Sequence, residues 1–310
     1  MRSPLNKRLF RELRGEFGKY LVIFILMTLT IGMVSGFLVA DGSMIQAYEE
    51  SFEKYNIENG HFRTEKKMNN AQIQDIEDLG IKLYENYYVE EALTNGSTMR
   101  IFKNRDEVNK VCLMKGKMPE KPGEIGIDRM YADNNDLSVG DEIESGGHTW
   151  KITGLVALSD YSALFSNNND SMFDSVKFGV SVVCPEEFDS YKADQLNYSY
   201  AWKYNTEPKN EKAEKDISED LMEDVAKEVT LEEFVPRYTN QAIIFTGDDM
   251  GGDRSMMIVL LYIIIVIMAF VFAITTNNTI RKEANVIGTL RASGYTRGEL
   301  IRHYMAAPVF

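Results

Sequence analysis

The sequence predicts a membrane protein in which transmembrane α-helices bracket a mixed α+β extracytoplasmic domain. Three observations lead there. Two long apolar runs stand out from a polar chain, basic residues gather beside both runs, and the acidic stretch between them carries strand and helix signals in alternation.

The apolar runs are Tyr20–Ala40 and Met256–Thr276, and neither holds an Asp, Glu, Lys or Arg. A helix of that length reaches about 31 Å, the thickness of a bilayer's hydrocarbon core. Helices in soluble cores seldom run so far without a charge. The first run is too long for a cleavable leader, and Gly36-Phe37-Leu38-Val39-Ala40-Asp41 lacks the small-x-small cleavage pattern. It reads as an uncleaved anchor.

Charge sets the orientation. Arg2, Lys7, Arg8, Arg11, Arg14 and Lys19 outnumber Glu12 and Glu16 before the first run ends. After the second run begins, Arg281, Lys282, Arg291, Arg297 and Arg302 outnumber Glu283 and Glu299. Residues 41–255 carry 23 basic and 43 acidic side chains. Basic flanks stay in the cytosol. The chain is therefore expected in the cell membrane as a multi-pass protein, with a cytosolic N-terminus and residues 41–255 outside. That acidic domain has no basic patch, which argues against nucleic acid as a partner.

The expected segments run in order. Residues 1–19 form a cytosolic amphipathic helix, with Leu5, Leu9, Phe10, Leu13 and Phe17 toward the lipid bilayer. Residues 20–40 are the first transmembrane helix. Thr28, Gly32, Gly36 and Ala40 line one stripe of it, and small residues at that spacing admit a partner helix. Residues 41–255 are the extracytoplasmic α+β domain, with two lobes divided near 157–175 as one arrangement. Residues 256–276 are the second transmembrane helix, and 277–310 hold a cytosolic helix and the start of a third span.

Within the outer domain, residues 42–56 continue the first helix. Asn69 or Asn70 caps a short helix through Asp78 that Gly80 ends. Strands are expected at Ile81–Leu93 and Ser97–Lys103 around an Asn95-Gly96 turn, then at 108–114, 124–128, 141–145 and 148–156. Met130–Asn134 is a short helix, Val176–Cys184 and Gln195–Tyr204 are strands, and Lys209–Val229 is a charged amphipathic helix. Gln241–Thr246 reads as a strand and Gly247–Asp253 as a flexible lead into the second span.

No constellation calls for catalysis, and the chain is not expected to be an enzyme. No Ser, His and Asp fall in a hydrolase context. Asp133-Asn134-Asn135-Asp136 opens like a calcium loop but puts Leu137 and Ser138 where an acid or amide and then a glycine belong. His61, His148 and His303 stand apart, and no Cys-x-x-Cys occurs, so no metal or cofactor is expected. Cys112 and Cys184 both lie in the outer domain; they read as small strand hydrophobes, although an oxidising compartment would also permit a disulfide. There is no P-loop, so any ATP must be bound by another chain.

The most informative segment follows the second run. Ile280, Ala284, Ile287 and Leu290 or Arg291 keep helical spacing, Gly294 is a helix stop, and Thr296 with Glu299 forms a capping box for a further helix. Glu283, Ile287, Gly288, Ala292 and Gly294 match in register a Glu-x-x-x-Ile-Gly-x-x-x-Ala-x-Gly pattern. Upstream lie Gly116-Lys117-Met118-Pro119, Gly123-Glu124-Ile125-Gly126-Ile127-Asp128 and Val139-Gly140-Asp141-Glu142-Ile143. In motif order and topology the chain resembles the FtsX-like permease family, which includes MacB-type ABC transporters; Lys117 stands where that family usually has Arg.

The resemblance implies a permease subunit that couples ATP hydrolysis by a separate ATP-binding subunit to movement of the outer domain, for export or release of lipids, peptides or antibiotics. It implies that Glu283, Ile287, Gly288, Leu290, Arg291, Ala292 and Gly294 form the coupling helix that docks this subunit. Family members have at least four spans. The resemblance therefore also implies that this chain is a fragment, one piece of a split gene or a truncated product, completed by further permease spans or a second permease copy. The alternative is a two-span sensor or receptor with an outer ligand-binding domain.

Overall fold

The computed structural model describes residues 14–306 except residue 16. Most of the expected N-terminal surface helix and the last residues of the expected third span lie outside this range. The first helix, α1, runs over Phe17–Lys54 without interruption. The other long helix, here α6, covers Gln241–Lys282. These are the helices long and apolar enough to cross a membrane among the described residues. Only 6% and 11% of their most apolar windows are buried, so neither is the core helix of a soluble domain.

Between them the chain builds two sheets. The strands β1 (Gly60–Thr64), β2 (Ile81–Glu85), β10 (Tyr198–Tyr204) and β11 (Leu231–Pro236) make a four-stranded antiparallel sheet in the order β11-β1-β10-β2. The strands β3 (Tyr88–Ala92), β4 (Thr98–Lys103), β5 (Val111–Gly116), β6 (Glu124–Asp128), β7 (Glu142–Ser145), β8 (His148–Leu158) and β9 (Phe178–Val183) make a mixed sheet, ordered β3-β4-β9-β6-β8-β5 with β7 on β8. The mixed sheet is thus inserted between β2 and β10 of the smaller one. The helices α2 (Asn70–Glu77), α3 (Arg129–Asn134), α4 (Pro185–Phe188) and α5 (Glu211–Glu228) complete the domain.

One face of each sheet feeds a continuous core. In the small sheet Phe62 stacks between Tyr200 and Phe234, and Trp202 stacks on Phe234 at 4.7 Å between ring centroids. Ile76 of α2 and Val225 of α5 close that face. In the large sheet Met99, Ile101, Ile125, Ile127, Ile152 and Val180 are fully buried with Tyr131 of α3.

Local signals account for most boundaries. Asn69 caps α2 in a reciprocal capping box with Gln72. Asn95-Gly96 sits in the β3–β4 hairpin, where the Gly96 N–H donates to Leu93 O and the Leu93 N–H to Ser97 O. Asp128 caps α3 by accepting from the Met130 and Tyr131 N–H groups. The α7 helix (Ala284–Ala292) ends at Gly294, which has φ +96°. There the Tyr295 N–H reaches Leu290 O and the Gly294 N–H reaches Arg291 O, a Schellman closure. Thr296 and Glu299 then cap α8 (Arg297–Ala306) reciprocally.

Four expectations are corrected. Ile81–Leu93 is not one strand: the chain leaves the small sheet at Glu85 and enters the large one at Tyr88. The sheets therefore divide at residues 85–88 and 183–198, not near 157–175. Gln241–Thr246 is helix, because Asn240 accepts from the Ala242 N–H with its side chain and from the Ile243 and Ile244 N–H groups with its carbonyl. Gly247–Asp253 continues that helix. The strand β1, the strand β11 and the turn of helix α4 are additional to the sequence reading.

The chain divides into one unit of residues 1–44 and 250–310 and another of 45–249. Within the second, the C-terminal end of α1 meets the start of α6. Tyr48 Oη donates to Ile243 O at 3.0 Å, and a Cβ placed on Gly247 would lie 2.5 Å from the Tyr48 ring. Only glycine permits that approach.

Candidate functional site

Glu283 separates α6 from α7 with φ −99° and ψ 12°, a local departure from helix geometry. Its carboxylate accepts from Tyr304 Oη of α8, and Leu300, His303 and Tyr304 are buried. Ile287 and Leu290 are half-buried on the same side as Glu283, at the i, i+4, i+7 spacing of one helix face. Gly288, Arg291, Ala292 and Gly294 are exposed, and a Cβ on Gly288 would meet nothing within 4 Å. The expected docking residues thus sort into an inward set (Glu283, Ile287, Leu290) and an outward set (Gly288, Arg291, Ala292, Gly294).

The stripe Thr28, Gly32, Gly36 and Ala40 is exposed along its whole length, with open space beside both glycines. The buried positions of α1 in that unit, Val34 and Asp41, lie on another face.

A second site lies in the two-sheet domain. The polar face of the small sheet and one end of the large sheet enclose a cleft of about 620 Å³. Phe62 points into the core, so its neighbours His61 and Arg63 both point the other way, into the cleft. Behind them Glu58 is 1% exposed. It accepts from His61 Nδ1 at 2.6 Å and from Asn109 Nδ2 at 2.6 Å. Burial alone would raise the Glu58 pKa, but the adjacent imidazole and the Asn109 amide hold it below 4.5. Burial alone would lower His61, but the Glu58 carboxylate overrides this and holds its pKa above 6.5. The two form an ion pair.

The facing wall is equally ordered. Arg100 donates through Nε and Nη2 to Glu90, through Nη1 to Tyr161 Oη and through Nη2 to Ser166 O. Its guanidinium also lies over the Tyr88 and Phe178 rings. Arg105 and Asp160 make a bidentate pair at 2.8 and 2.7 Å with side chains only 7% and 6% exposed. Burial pushes the Asp160 carboxyl up while the Arg105 fork pulls it down.

Among the described residues, no group of three or more His, Cys, Asp or Glu could hold a metal. Cys112 and Cys184 are free thiols; Cys184 is buried, and Cys112 is half-buried with the Tyr55 hydroxyl donating to its sulfur at 3.3 Å.

No protein-family model matches the chain, and no characterised protein matches it by sequence. Fifteen solved chains match it, among them the following two. One is the periplasmic region of MacB from Actinobacillus actinomycetemcomitans, with TM-score 0.31 and 11% identity over 55% of this chain and 85% of that one. The other is the extracellular domain of the noncanonic ABC-type transporter YknZ from Gram-positive bacteria, with TM-score 0.30 and 10% identity over 54% of this chain and 92% of that one.

Sequence reasoning missed the cleft entirely. Glu58, His61, Arg63, Arg100 and Asp160 are scattered over three segments that only the two-sheet topology brings together. One signal was present: charged residues flanking Phe62 at period two, the mark of a strand with a polar face.

Proposed function

We propose that this chain is a permease subunit of an FtsX- or MacB-type ABC transporter, coupling ATP hydrolysis in a separate subunit to movement of the extracytoplasmic domain. The observation that carries the reading is the α7 helix. It is short, capped at its end, placed directly after an apolar helix, and it turns a small-residue face away from its own chain. Gly288 and Ala292 on that face let a partner backbone or side chain approach closely, while Glu283, Ile287 and Leu290 hold α7 to its own unit. The motif resemblance in the outer domain supports the same family.

In this reading α7 transmits force and performs no chemistry; ATP binds to the partner. The helices α1 and α6 run unbroken from apolar span into outer domain, which suits mechanical transmission. The exposed Thr28–Gly32–Gly36–Ala40 stripe would then pack against further permease spans or a second copy.

The test is purification of the chain from its native membranes in mild detergent. The permease reading expects an ATP-binding-cassette subunit to co-purify. A second reading, a two-span receptor, draws on the outer cleft and expects none; absence of such a subunit would favour it.

A further inference from the structure

Both long helices join the two-sheet domain through the small sheet. The chain passes from α1 at Lys54 to β1 at Gly60, and from β11 at Pro236 to α6 at Gln241. The large sheet is inserted between β2 and β10, so chain continuity alone gives neither helix a direct hold on it. Each helix gains that hold through a non-covalent contact. For α1 it lies just past the helix end, where the Lys110 N–H donates to Tyr55 O and the Asn109 N–H to Asn56 O.

For α6 it is residues 159–175, the irregular segment between β8 and β9. Irregular connections of this length are generally functional. Ser162 Oγ donates to Ala242 O and Ile243 O, both at 2.9 Å, and the Ala163 N–H donates to Ala242 O at 3.1 Å. Thr246 Oγ1 returns a bond to Ser162 O at 3.1 Å. The Gln241 main-chain N–H, one of the donors a helix start leaves without an internal partner, reaches Asn168 Oδ1 at 2.8 Å. Phe165 and Phe173 of the segment and Phe245 of α6 pack edge to face, and with Ala163 and Ala242 they form a small core of their own.

The segment is tied as firmly to the large sheet. Leu164, between Ala163 and Phe165, points the other way into the main core. Asp160 pairs with Arg105, and Arg100 of β4 donates to Tyr161 Oη and Ser166 O. The segment also walls the cleft: Tyr161, Phe165, Asn167 and Asn168 line it together with Arg63 and Glu233 of the small sheet. Packed contacts of this kind pass on displacement, because a close-packed interior does not compress.

We propose that residues 159–175 are a clasp that makes the large sheet follow α6, so that a shift of α6 against α1 changes the width of the cleft. Coupling of this kind is reciprocal, so a ligand that favours one width biases α6 in turn. The clasp belongs to this chain; its use by an ATP-driven subunit rests on the permease reading.

The experiment reads the separation of the sheets by double electron–electron resonance on the full chain in detergent. Cys112 and Cys184 are changed to Ser, and spin labels are placed at Glu65→Cys, just past β1, and Lys177→Cys, just before β9. Gly247→Val pushes α6 away from Tyr48 of α1 and is expected to shift the label distance by about 1–2 Å. Ser162→Ala with Phe245→Ala cuts the clasp by removing the shared hydroxyl and the α6 ring; in that background G247V is expected to shift nothing. Should G247V fail to fold, G247A carries the same test, since a single Cβ there already lies 2.5 Å from the Tyr48 ring. Should the clasp pair fail to fold, S162A alone is expected to reduce the shift. No shift with the clasp intact, or an equal shift with it cut, would overturn the proposal. The distance is read without ATP or a second subunit. A negative result therefore leaves the permease reading standing, and failure to capture an ATP-binding subunit leaves the clasp standing.

Discussion

Asp160 and Arg105 hold one end of the cleft through a bidentate pair sealed from solvent. Asp160→Asn leaves the guanidinium buried without its counter-charge. This is expected to destabilise the fold by about 3–5 kcal/mol, read from urea unfolding of the chain in detergent; a loss near zero would mean that the pair is solvated. The Glu58–His61 pair makes unfolding depend on pH with a definite sign. The His61 contribution is fully present below its ordinary value of 6.5 and is lost as pH rises through its raised folded value. The Glu58 contribution is present above 4.5 and is lost as pH falls through its lowered folded value. Stability from this pair therefore peaks between those limits. His61→Gln should remove the alkaline decline from a plot of unfolding free energy against pH. Asp128, whose pKa burial pushes up to about 6 against the pull of two backbone N–H groups, caps α3. Asp128→Ala is expected to cost about 1 kcal/mol by the same urea measurement.

At the scale of elements, the crossing of α1 and α6 depends on Gly247 lying against Tyr48. Gly247→Val puts branched carbons where the ring already sits, and a loss of about 1–3 kcal/mol is expected in thermal unfolding. The elements legible in the sequence were those with local signals. The capping box at Asn69, the Asn95-Gly96 turn, the Gly294 stop and the Thr296–Glu299 cap all appear where their chemistry put them. The misread elements lack such signals or carry conflicting ones. Ala242-Ile243-Ile244-Phe245 is an apolar run too short for periodicity to separate strand from helix, and the Asn240 cap decides it. Gly251-Gly252 looks like a hinge, yet it stays helical within α6. The strand β1 escaped notice because just one of its side chains, Phe62, is a large apolar group, while the other face is the charged wall of the cleft. The same polarity that builds the site hid the strand.

For the whole molecule, two apolar helices bracket a two-sheet domain in the chain order. Orientation is open to direct test. In a background with Cys112 and Cys184 changed to Ser, Met222→Cys in exposed α5 should react with a membrane-impermeant maleimide on intact cells, and Ala292→Cys should react only after lysis. The motif over Glu283–Gly294 was legible in the sequence; its division into inward and outward faces was not, because that depends on how α8 folds back onto Glu283. The central claim is that the outward face of α7 is where the ATP-binding subunit sits. Gly288→Trp tests it most directly, since among the described residues nothing beyond the neighbouring backbone of its own helix lies within 4 Å of a Cβ there, and the variant should fold as wild type does. Co-purification of an ATP-binding-cassette subunit with wild type and its loss with G288W, at unchanged thermal stability, is the result the account predicts. Equal recovery of that subunit with both proteins would contradict it.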